Sequence, residues 1–323
     1  AALSLAFWVT ISASAQSKSL SGTESALRSP EANKTWVDSI DAYARNSFLP
    51  AKKYNWTWQQ AALLRAMTQQ YDWKVGPNPE VYLHYVRTAI DKSMDAAYAG
   101  HNPNSVASGF GLAWLARTTG EAKYRTAAEQ LYSKYLKIPR APNGGVTHLR
   151  RFRELWDDTI FMVGIYLLEM YLLTDEEKYL DELVLQVQTH REKLQVAEWG
   201  LWVHGWDGDD KDHCRLCSQQ NWSDNPGNRS TEIWGRGNGW VVVTLTQILE
   251  SVPKTHPKWP TFASYLKEML VHLPELQDTA TGHWFQLPVY PHAKGNYIES
   301  SCTAMFGYGI AGALRMGIVE GNA

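Results

Sequence analysis

The stretch Thr119-Gly120-Glu121-Ala122-Lys123-Tyr124 recurs in altered form as Thr174-Asp175-Glu176-Glu177-Lys178-Tyr179. Each copy follows an apolar segment with helical spacing. Each also supplies a capping threonine and an acidic first turn for a second helical segment. The recurring pattern therefore predicts a repeated helical hairpin.

The rest of the chain has the same helical character, because apolar positions recur at helical spacing and strict alternation is scarce. Helices are expected near residues 34–47, 57–72, 79–98, 104–118, 121–137, 155–173, 176–192, 238–251, 258–272 and 298–315. So many helices without a strand-rich block predict an all-α fold, in which a helical double layer closes into an (α/α) barrel. No Pro-rich, Ser-rich or charged linker interrupts the helical region, so one domain over residues 34–320 is expected.

The composition narrows the classes of partner. The formal charge is -2 over 323 residues and no basic stripe is present, which argues against nucleic acid and anionic membranes. There are 15 Trp and 16 Tyr but only 8 Phe, so amphipathic rings exceed purely apolar ones. Such rings suit a wet groove for carbohydrate, although large buried helices would also use Trp.

Residues 1–15 form an apolar run that ends in a small-residue Ala-x-Ala pattern, typical of a secretory signal peptide and too short to span a bilayer. Residues 16–33 are interpreted as a leader segment before the domain. A secreted or periplasmic protein is therefore expected. Glycosylation triplets are present at Asn33, Asn55, Asn221 and Asn228.

The longest stretch without helical spacing, residues 198–234, is expected to be functional. Its acidic run 207–212 lacks the mid-loop glycine and the closing glutamate of a calcium loop, so a solvated acidic loop is favoured. Cys214 and Cys217 fit a small disulfide loop better than a metal site, because a second cysteine pair is missing. Cys302 is interpreted as a buried free thiol. No metal and no cofactor are expected.

The stretch from Trp234 to Trp240, WGRGNGW, combines two indoles, one guanidinium and three glycines. Indole faces suit sugar rings, and a guanidinium binds a carboxylate in bidentate geometry. Trp234, Arg236 and Trp240 therefore predict a pocket for an acidic sugar. The alternative is a glycine-rich loop before a buried helix, with Trp240 in the core.

Several motifs occur in one order along the chain: Trp56-Thr57-Trp58, Gly144-Gly145-Val146-Thr147-His148, Leu155-Trp156-Asp157-Asp158-Thr159-Ile160-Phe161-Met162, His204-Gly205-Trp206-Asp207, the 234–240 motif, and Glu299-Ser300-Ser301-Cys302-Thr303-Ala304-Met305-Phe306. Over roughly residues 35–318 the chain thereby resembles the unsaturated glycuronyl hydrolases of glycoside hydrolase families 88 and 105, with the rhamnogalacturonyl type closest. The resemblance implies an (α/α)6 barrel, a double-layered helical toroid. It also implies removal of the 4,5-unsaturated uronic acid that polysaccharide lyases leave at a non-reducing end.

The resemblance also implies roles for individual residues. The general acid falls on Asp158, and the residues around the substrate fall on Trp56, His148, His204, Trp234, Arg236 and Trp240. The alternatives are that the two histidines are satisfied core residues and that Trp56 only packs helices. The expected partner is a small oligosaccharide with an unsaturated uronyl end, bound by a monomer.

Two features qualify this assignment. The family's second carboxylate falls on Asn104, an amide that cannot take a proton and that could bind a sugar hydroxyl or simply cap a helix. Asp157 and Asp158 are adjacent at the start of a predicted helix, where successive side chains point about 100° apart, so only one can face the pocket. Helical phase with Phe161 and Met162, and register with the motif, select Asp158; the alternative is that both merely favour the helix dipole.

Two other functions fit parts of the same pattern. A polysaccharide lyase on a similar toroid would use a base such as Tyr297 or His204 to cleave by β-elimination. A non-catalytic protein could use the same pocket only to bind acidic sugars. The pattern does not indicate which aglycone sugar is preferred.

Overall fold

The computed structural model describes residues 38–75, 78–98, 102–150, 152–208, 222 and 225–321. Helical residues 38–43 lead into a π-helical turn, Ala44–Phe48. The longer helices are α1 (Trp58–Asp72), α2 (Glu80–Ser93), α3 (Phe110–Thr119), α4 (Ala122–Tyr135), α5 (Thr159–Thr174), α6 (Lys178–Leu194), α7 (Gly235–Ser251), α8 (Trp259–Leu270) and α9 (Ser300–Met316). Two short strands, β1 (Glu154–Trp156) and β2 (Gly205–Asp207), pair with each other.

Alternate helices along the chain differ in burial. Four odd-numbered helices contain unbroken buried runs, at 61–70, 110–116, 159–171 and 237–249. In α4, by contrast, the buried residues Tyr124, Ala127, Ala128, Leu131 and Tyr135 form one stripe. A helix that is buried all round lies inside and a striped helix lies outside, so α1, α3, α5 and α7 form an inner layer. Helix α9 packs against α7 along one face, through buried residues that include Cys302, Met305 and Gly309.

The inner helices run in one direction. Trp58 at the start of α1 meets Trp240 near the start of α7, with ring centroids 6.4 Å apart. Farther along α1, Arg65 donates hydrogen bonds to Glu169 near the end of α5 (2.6 Å) and to Gln247 near the end of α7 (2.8 Å). The first residues of α1 lie beside those of α7, and later residues of α1 lie beside the ends of α5 and α7. The N-termini of these inner helices therefore lie at the same end of the barrel.

The repeated hairpin uses one turn twice. Thr119 ends α3 and Thr174 ends α5, and each hydroxyl donates to the carbonyl four residues earlier. Each hydroxyl oxygen also accepts from the backbone N–H two residues later, at Glu121 and Glu176. The prediction that these threonines cap the following helix is therefore wrong, because each belongs to the end of the preceding one.

Two helices near the site begin a few residues away from their predicted starts. Helix α5 begins at Thr159 instead of 155, because Glu154–Trp156 pairs as a strand with Gly205–Asp207. Helix α7 begins at Gly235, so the glycine-rich motif lies inside its first turns. These glycines are helical and allow close packing; they do not form a loop.

Some sequence expectations concern residues outside the described ranges. The signal peptide, the leader segment, Asn33, Asn221, Cys214 and Cys217 lie there, as does the acidic run beyond Gly208. Within the described ranges, Cys302 is a buried free thiol, as predicted. None of the helices in these ranges combines the length and the apolar character that crossing a membrane requires.

Candidate active site

The β1–β2 ribbon brings two distant motifs together. Its antiparallel register pairs Trp156 with Gly205. One step beyond the ribbon, the backbone N–H of Asp157 donates to the carbonyl of His204 at 3.0 Å. The consecutive aspartates therefore lie beside His204 at the open end of the inner barrel.

The two aspartates have different environments. The side chain of Asp157 is fully buried, and its Oδ1 accepts from the backbone N–H of Asp158 and interacts with Nδ1 of His204, both at 2.8 Å. Asp158 occupies the N-cap position of α5, and 14% of its side chain is exposed. Both residues precede the helix, so the helical-phase argument does not apply to them. Backbone turn geometry separates the carboxylates instead.

Electrostatics at this turn favour protonated side chains. Burial raises the pKa of both Asp157 and Asp158, and the neighbouring His204 opposes the rise. Although burial opposes it, the carboxylates of Asp157 and Asp158 raise the pKa of His204. A proton is therefore available on this side of the cleft above the pH at which an ordinary aspartic acid ionises.

His148 is held in the neutral state. Its Nδ1 lies 2.8 Å from Oγ1 of Thr159 and its Nε2 lies 3.2 Å from Nδ2 of Asn104. Only 2% of the residue is exposed, and burial lowers its pKa to about 3. His148 is therefore a buried histidine with a partner at both ring nitrogens, which is the alternative stated above. Its burial does not fit the predicted direct contact with substrate.

Asn104 reaches the same cluster without capping a helix. The N-cap of the short helix Pro103–Val106 is Asn102, whose side chain accepts from the backbone N–H of Ser105. The capping alternative for Asn104 is therefore wrong. Its amide contacts His148, and its Oδ1 is buried without a hydrogen-bond partner among the described residues.

Aromatic rings line this part of the cleft. Trp156 stacks on His148 with centroids 4.3 Å apart and planes 3° from parallel. The His204 ring lies nearly perpendicular to Trp234 (centroids 4.9 Å apart) and to Trp222 (5.7 Å). The connected rings include Trp156 and Trp222, for which the sequence motifs predict no role.

Arg236 lies at the start of α7 and has two partners. Its guanidinium stands over the ring of Trp234, 4.6 Å from the centroid, and pairs with the carboxylate of Glu299. Glu299 is nearly buried and also accepts from the hydroxyl of Ser301. Arg236 keeps 30% of its side chain exposed, so it can bind an anion while Glu299 fixes its position.

The helical glycines let neighbouring groups approach α7. A Cβ at Gly237 would overlap the Asp157 carboxylate, and one at Gly239 would overlap Met305. The fully buried Asn238 exchanges hydrogen bonds with the backbone of Trp202 in both directions, each 2.8 Å. The motif thus ties α7 to the turn that carries Asp158 and to the long connection before β2.

Two predicted tryptophans have different positions. Trp56 is partly exposed, and its indole N–H donates to the carbonyl of Ser105 at 2.7 Å. Trp240 is 1% exposed, with its ring 4.5 Å from Phe161 and 6.4 Å from Trp58. Trp240 is therefore a core residue, and its predicted contact with substrate does not fit the structure.

Two residues with structural roles here are not predicted from the sequence. Glu299 lies in one of the motifs, but the motif does not indicate that it pairs with Arg236, and Asn238 is visible only as part of the glycine-rich stretch. One signal could have identified Glu299. It precedes a helix at the N-cap position, where an acidic side chain is favourable, as it is for Asp158 before α5.

Comparisons with known proteins identify relatives of this chain. The sequence profile of Glycosyl Hydrolase Family 88 matches residues 29–323. The chain is 27% identical over 282 residues to the unsaturated rhamnogalacturonyl hydrolase YesR of Bacillus subtilis (strain 168), covering 85% of this chain and 74% of that protein. It is 24% identical over 218 residues to an unsaturated 3S-rhamnoglycuronyl hydrolase of Alteromonas sp. (strain LOR), covering 64% of this chain and 49% of that protein.

A solved structure shows the same architecture. The glycoside hydrolase from family 105 of C. acetobutylicum ATCC 824 superposes with a TM-score of 0.73 at 23% identity, covering 87% of this chain and 77% of that one. At this identity the likeness concerns the fold. It confirms the predicted all-α toroid of the (α/α)6 type.

Proposed function

The chain belongs to Glycosyl Hydrolase Family 88, and from this premise we propose that it removes the 4,5-unsaturated uronic acid from the non-reducing end of lyase-generated oligosaccharides. The reaction is the hydration of a vinyl ether. A proton adds to C4 of the unsaturated ring and water adds to the cationic C5. The resulting hemiketal then opens and releases the aglycone as an alcohol.

Asp158 is the proposed acid and base. Its protonated carboxyl gives a proton to C4, and the resulting carboxylate then accepts a proton from the attacking water, which restores the starting state. The observation that carries this assignment is the contrast between the two aspartates: Asp158 keeps 14% of its side chain exposed, whereas Asp157 has none. Burial raises the pKa of Asp158, which keeps the acid form available at higher pH.

The uronate carboxylate is proposed to bind at Arg236. The exposed part of its guanidinium offers paired N–H donors, and the adjacent Trp234 offers a ring face to the sugar. Trp56 and His204, both partly exposed, complete the proposed contacts. Asn104 is proposed to contact the substrate, and its hydrogen bond with His148 fixes its position.

The test is spectrophotometric. Purified protein is mixed, without added metal, with unsaturated oligosaccharides made by digesting pectin with a lyase. The expected result is loss of the ultraviolet absorbance of the vinyl ether, because hydration destroys the double bond. A control with Asp158→Asn should leave the absorbance unchanged over the same interval.

Other outcomes identify other functions. An increase in absorbance on intact pectin would reveal a lyase, which creates the same chromophore. Binding of an unsaturated disaccharide without turnover would indicate a non-catalytic protein. Activity that a chelator abolishes and a divalent cation restores would contradict the mechanism. The apolar stretch 1–15 supports a secreted or periplasmic location, and the proposed form is a monomer.

A further inference from the structure

We propose that Asp157, which does not reach the cleft, is a positioning residue that holds the His204 imidazole as a cation directed at the substrate carboxylate. The proposal rests on the proposed function, because it concerns the binding of the same uronate. It gives a role to the aspartate that the sequence motifs do not select.

The contacts of Asp157 join three elements of the site. Its Oδ1 interacts with Nδ1 of His204 and accepts from the backbone N–H of Asp158. Its other oxygen lies against Gly237 in the first turn of α7, where any Cβ would overlap it. The carboxylate is fully buried, so it acts on the turn before α5, on the residue that precedes β2 and on α7, and cannot touch substrate itself.

His204, unlike Asp157, is positioned to contact the substrate carboxylate. A quarter of its side chain is exposed (25%), and among the described residues its Nε2 has no hydrogen-bond partner. Trp234 contacts both groups: the His204 ring lies nearly perpendicular to it, with centroids 4.9 Å apart, and the Arg236 guanidinium stands over its ring. An anion bound at Arg236 therefore lies next to His204, and an imidazolium there can donate to it through Nε2.

The charge distribution explains the need for a second cation. Glu299 already pairs with Arg236, and the buried Asp157 carboxylate lies against His204, so with a neutral His204 the uronate would enter beside an uncompensated negative charge. Binding one anion beside another in a partly desolvated cleft is unfavourable. A protonated His204 offsets the charge of Asp157 and adds a second hydrogen-bond donor beside Arg236 for the substrate carboxylate.

Several charged groups face His204. Asp157, Asp158 and Glu154 act to keep it protonated, and His148, which stacks on Trp156, stays neutral. The variant that isolates the contribution of Asp157 is Asp157→Asn. Its amide oxygen can still accept from Nδ1–H, so it removes the charge while the ring orientation is kept.

The direct test follows the His204 proton by NMR and needs no substrate. The full chain, labelled with ¹⁵N-histidine, is titrated as the wild type and as Asp157→Asn, with His204→Gln to assign the signal. His204 should titrate above 6.5 in the wild type and about one pH unit or more lower in Asp157→Asn. An unchanged titration in the variant overturns the proposal. If Asp157→Asn does not fold, Gly237→Ala, which displaces the same carboxylate, should lower the His204 pKa in the same direction.

Kinetics provide a second readout. Asp157→Asn should raise KM about tenfold or more and change kcat less, because it weakens ground-state binding of the carboxylate. Combining Asp157→Asn with His204→Gln should be no worse than His204→Gln alone. Additive losses would mean that Asp157 acts by another route, and would overturn the proposal.

The two proposals fail separately. If the wild type does not remove the chromophore, the proposed function is wrong, whatever the NMR titration shows. If the wild type is active but His204 titrates identically with and without the Asp157 carboxylate, the function stands and the positioning role is wrong.

Discussion

Asp157 and Asp158 are adjacent in the chain, yet the side chain of Asp157 has no exposed surface and that of Asp158 keeps 14% of its surface exposed. The separation arises because the β1–β2 ribbon ends at Trp156 and α5 begins only at Thr159. The two-residue turn between them therefore leaves the Asp158 carboxylate partly exposed and buries the Asp157 carboxylate.

Asp158→Asn should lower kcat at least about a hundredfold, the usual contribution of a general acid. The amide keeps the shape of the side chain but cannot supply the proton. Asp181→Asn, on α6 with 64% of its side chain exposed, is the matched control and should keep wild-type kcat. Measured kcat values within about threefold of each other would exclude Asp158 as the acid.

The same Asp158→Asn variant should be more stable than the wild type near neutral pH. In the folded protein burial raises the pKa of Asp158, so the folded state binds this proton more tightly than the unfolded chain does. The stability of the wild type therefore falls as pH rises from the unfolded pKa through the folded pKa, and stays reduced above it. We expect a gain in Tm of about 2 °C or more near pH 7, and no gain near pH 3. If the wild type and Asp158→Asn had equal Tm values at both pH values, burial of the charged Asp158 side chain would not destabilise the protein.

Arg236→Lys should raise KM about tenfold or more and change kcat less. Lysine keeps the charge but loses the planar fork that can pair with Glu299 and the substrate carboxylate together. Initial rates on unsaturated disaccharide give both constants. If Arg236→Lys and Arg236→Ala both keep the wild-type KM, the carboxylate binds elsewhere.

Asn104→Asp should lower kcat. Nδ2 of Asn104 lies 3.2 Å from Nε2 of a histidine that burial keeps neutral, and its Oδ1 has no partner among the described residues. A carboxylate at this position would be desolvated, would lose the donor to His148, and would raise the pKa of Asp158 further. Rate profiles over pH distinguish the outcomes: a higher kcat at every pH would show that the site lacks a second carboxylate.

Gly237→Ala should reduce kcat/KM about tenfold or more, because the added methyl overlaps the Asp157 carboxylate and displaces it from His204. Gly307→Ala is the control. It lies within α9, where an added Cβ would meet no atom within 4 Å, so it should be neutral or slightly stabilising. Activity assays and melting curves of the two variants give the comparison. Equal activity in both would mean that the carboxylate moves without consequence for the site.

The helical pattern predicted most of the architecture. Helix periodicity located α1 to α9 within a few residues, because one buried stripe or one buried run marks each of them. It failed at Glu154–Trp156, where three residues form a strand only because Gly205–Asp207 lies alongside. Pairing across so long a separation leaves no periodic signal in either segment.

Motif order predicts that Asp158, His204, Trp234 and Arg236 share one site. In the structure His204 lies beside the two aspartates and packs against Trp234, over which Arg236 stands. Burial could not be deduced from the motifs, so they assign Trp240 and His148 to the substrate although both lie beneath the surface. They give Asp157 no role, because helical phase applies only to a helix and the chain forms a turn at this point.

The common direction of the inner helices has a consequence for encounter rates. Helix N-termini carry partial positive charge, roughly half an elementary charge each, and several open on the cleft beside Trp56, Asp158, Arg236 and Glu299. Their field acts on an anionic oligosaccharide before any side chain touches it, although the formal charge of the whole chain is -2. Added salt screens such a field, so association of the unsaturated end with the site slows as ionic strength rises. The rate of the chemical step proposed for Asp158 does not depend on this field and stays the same.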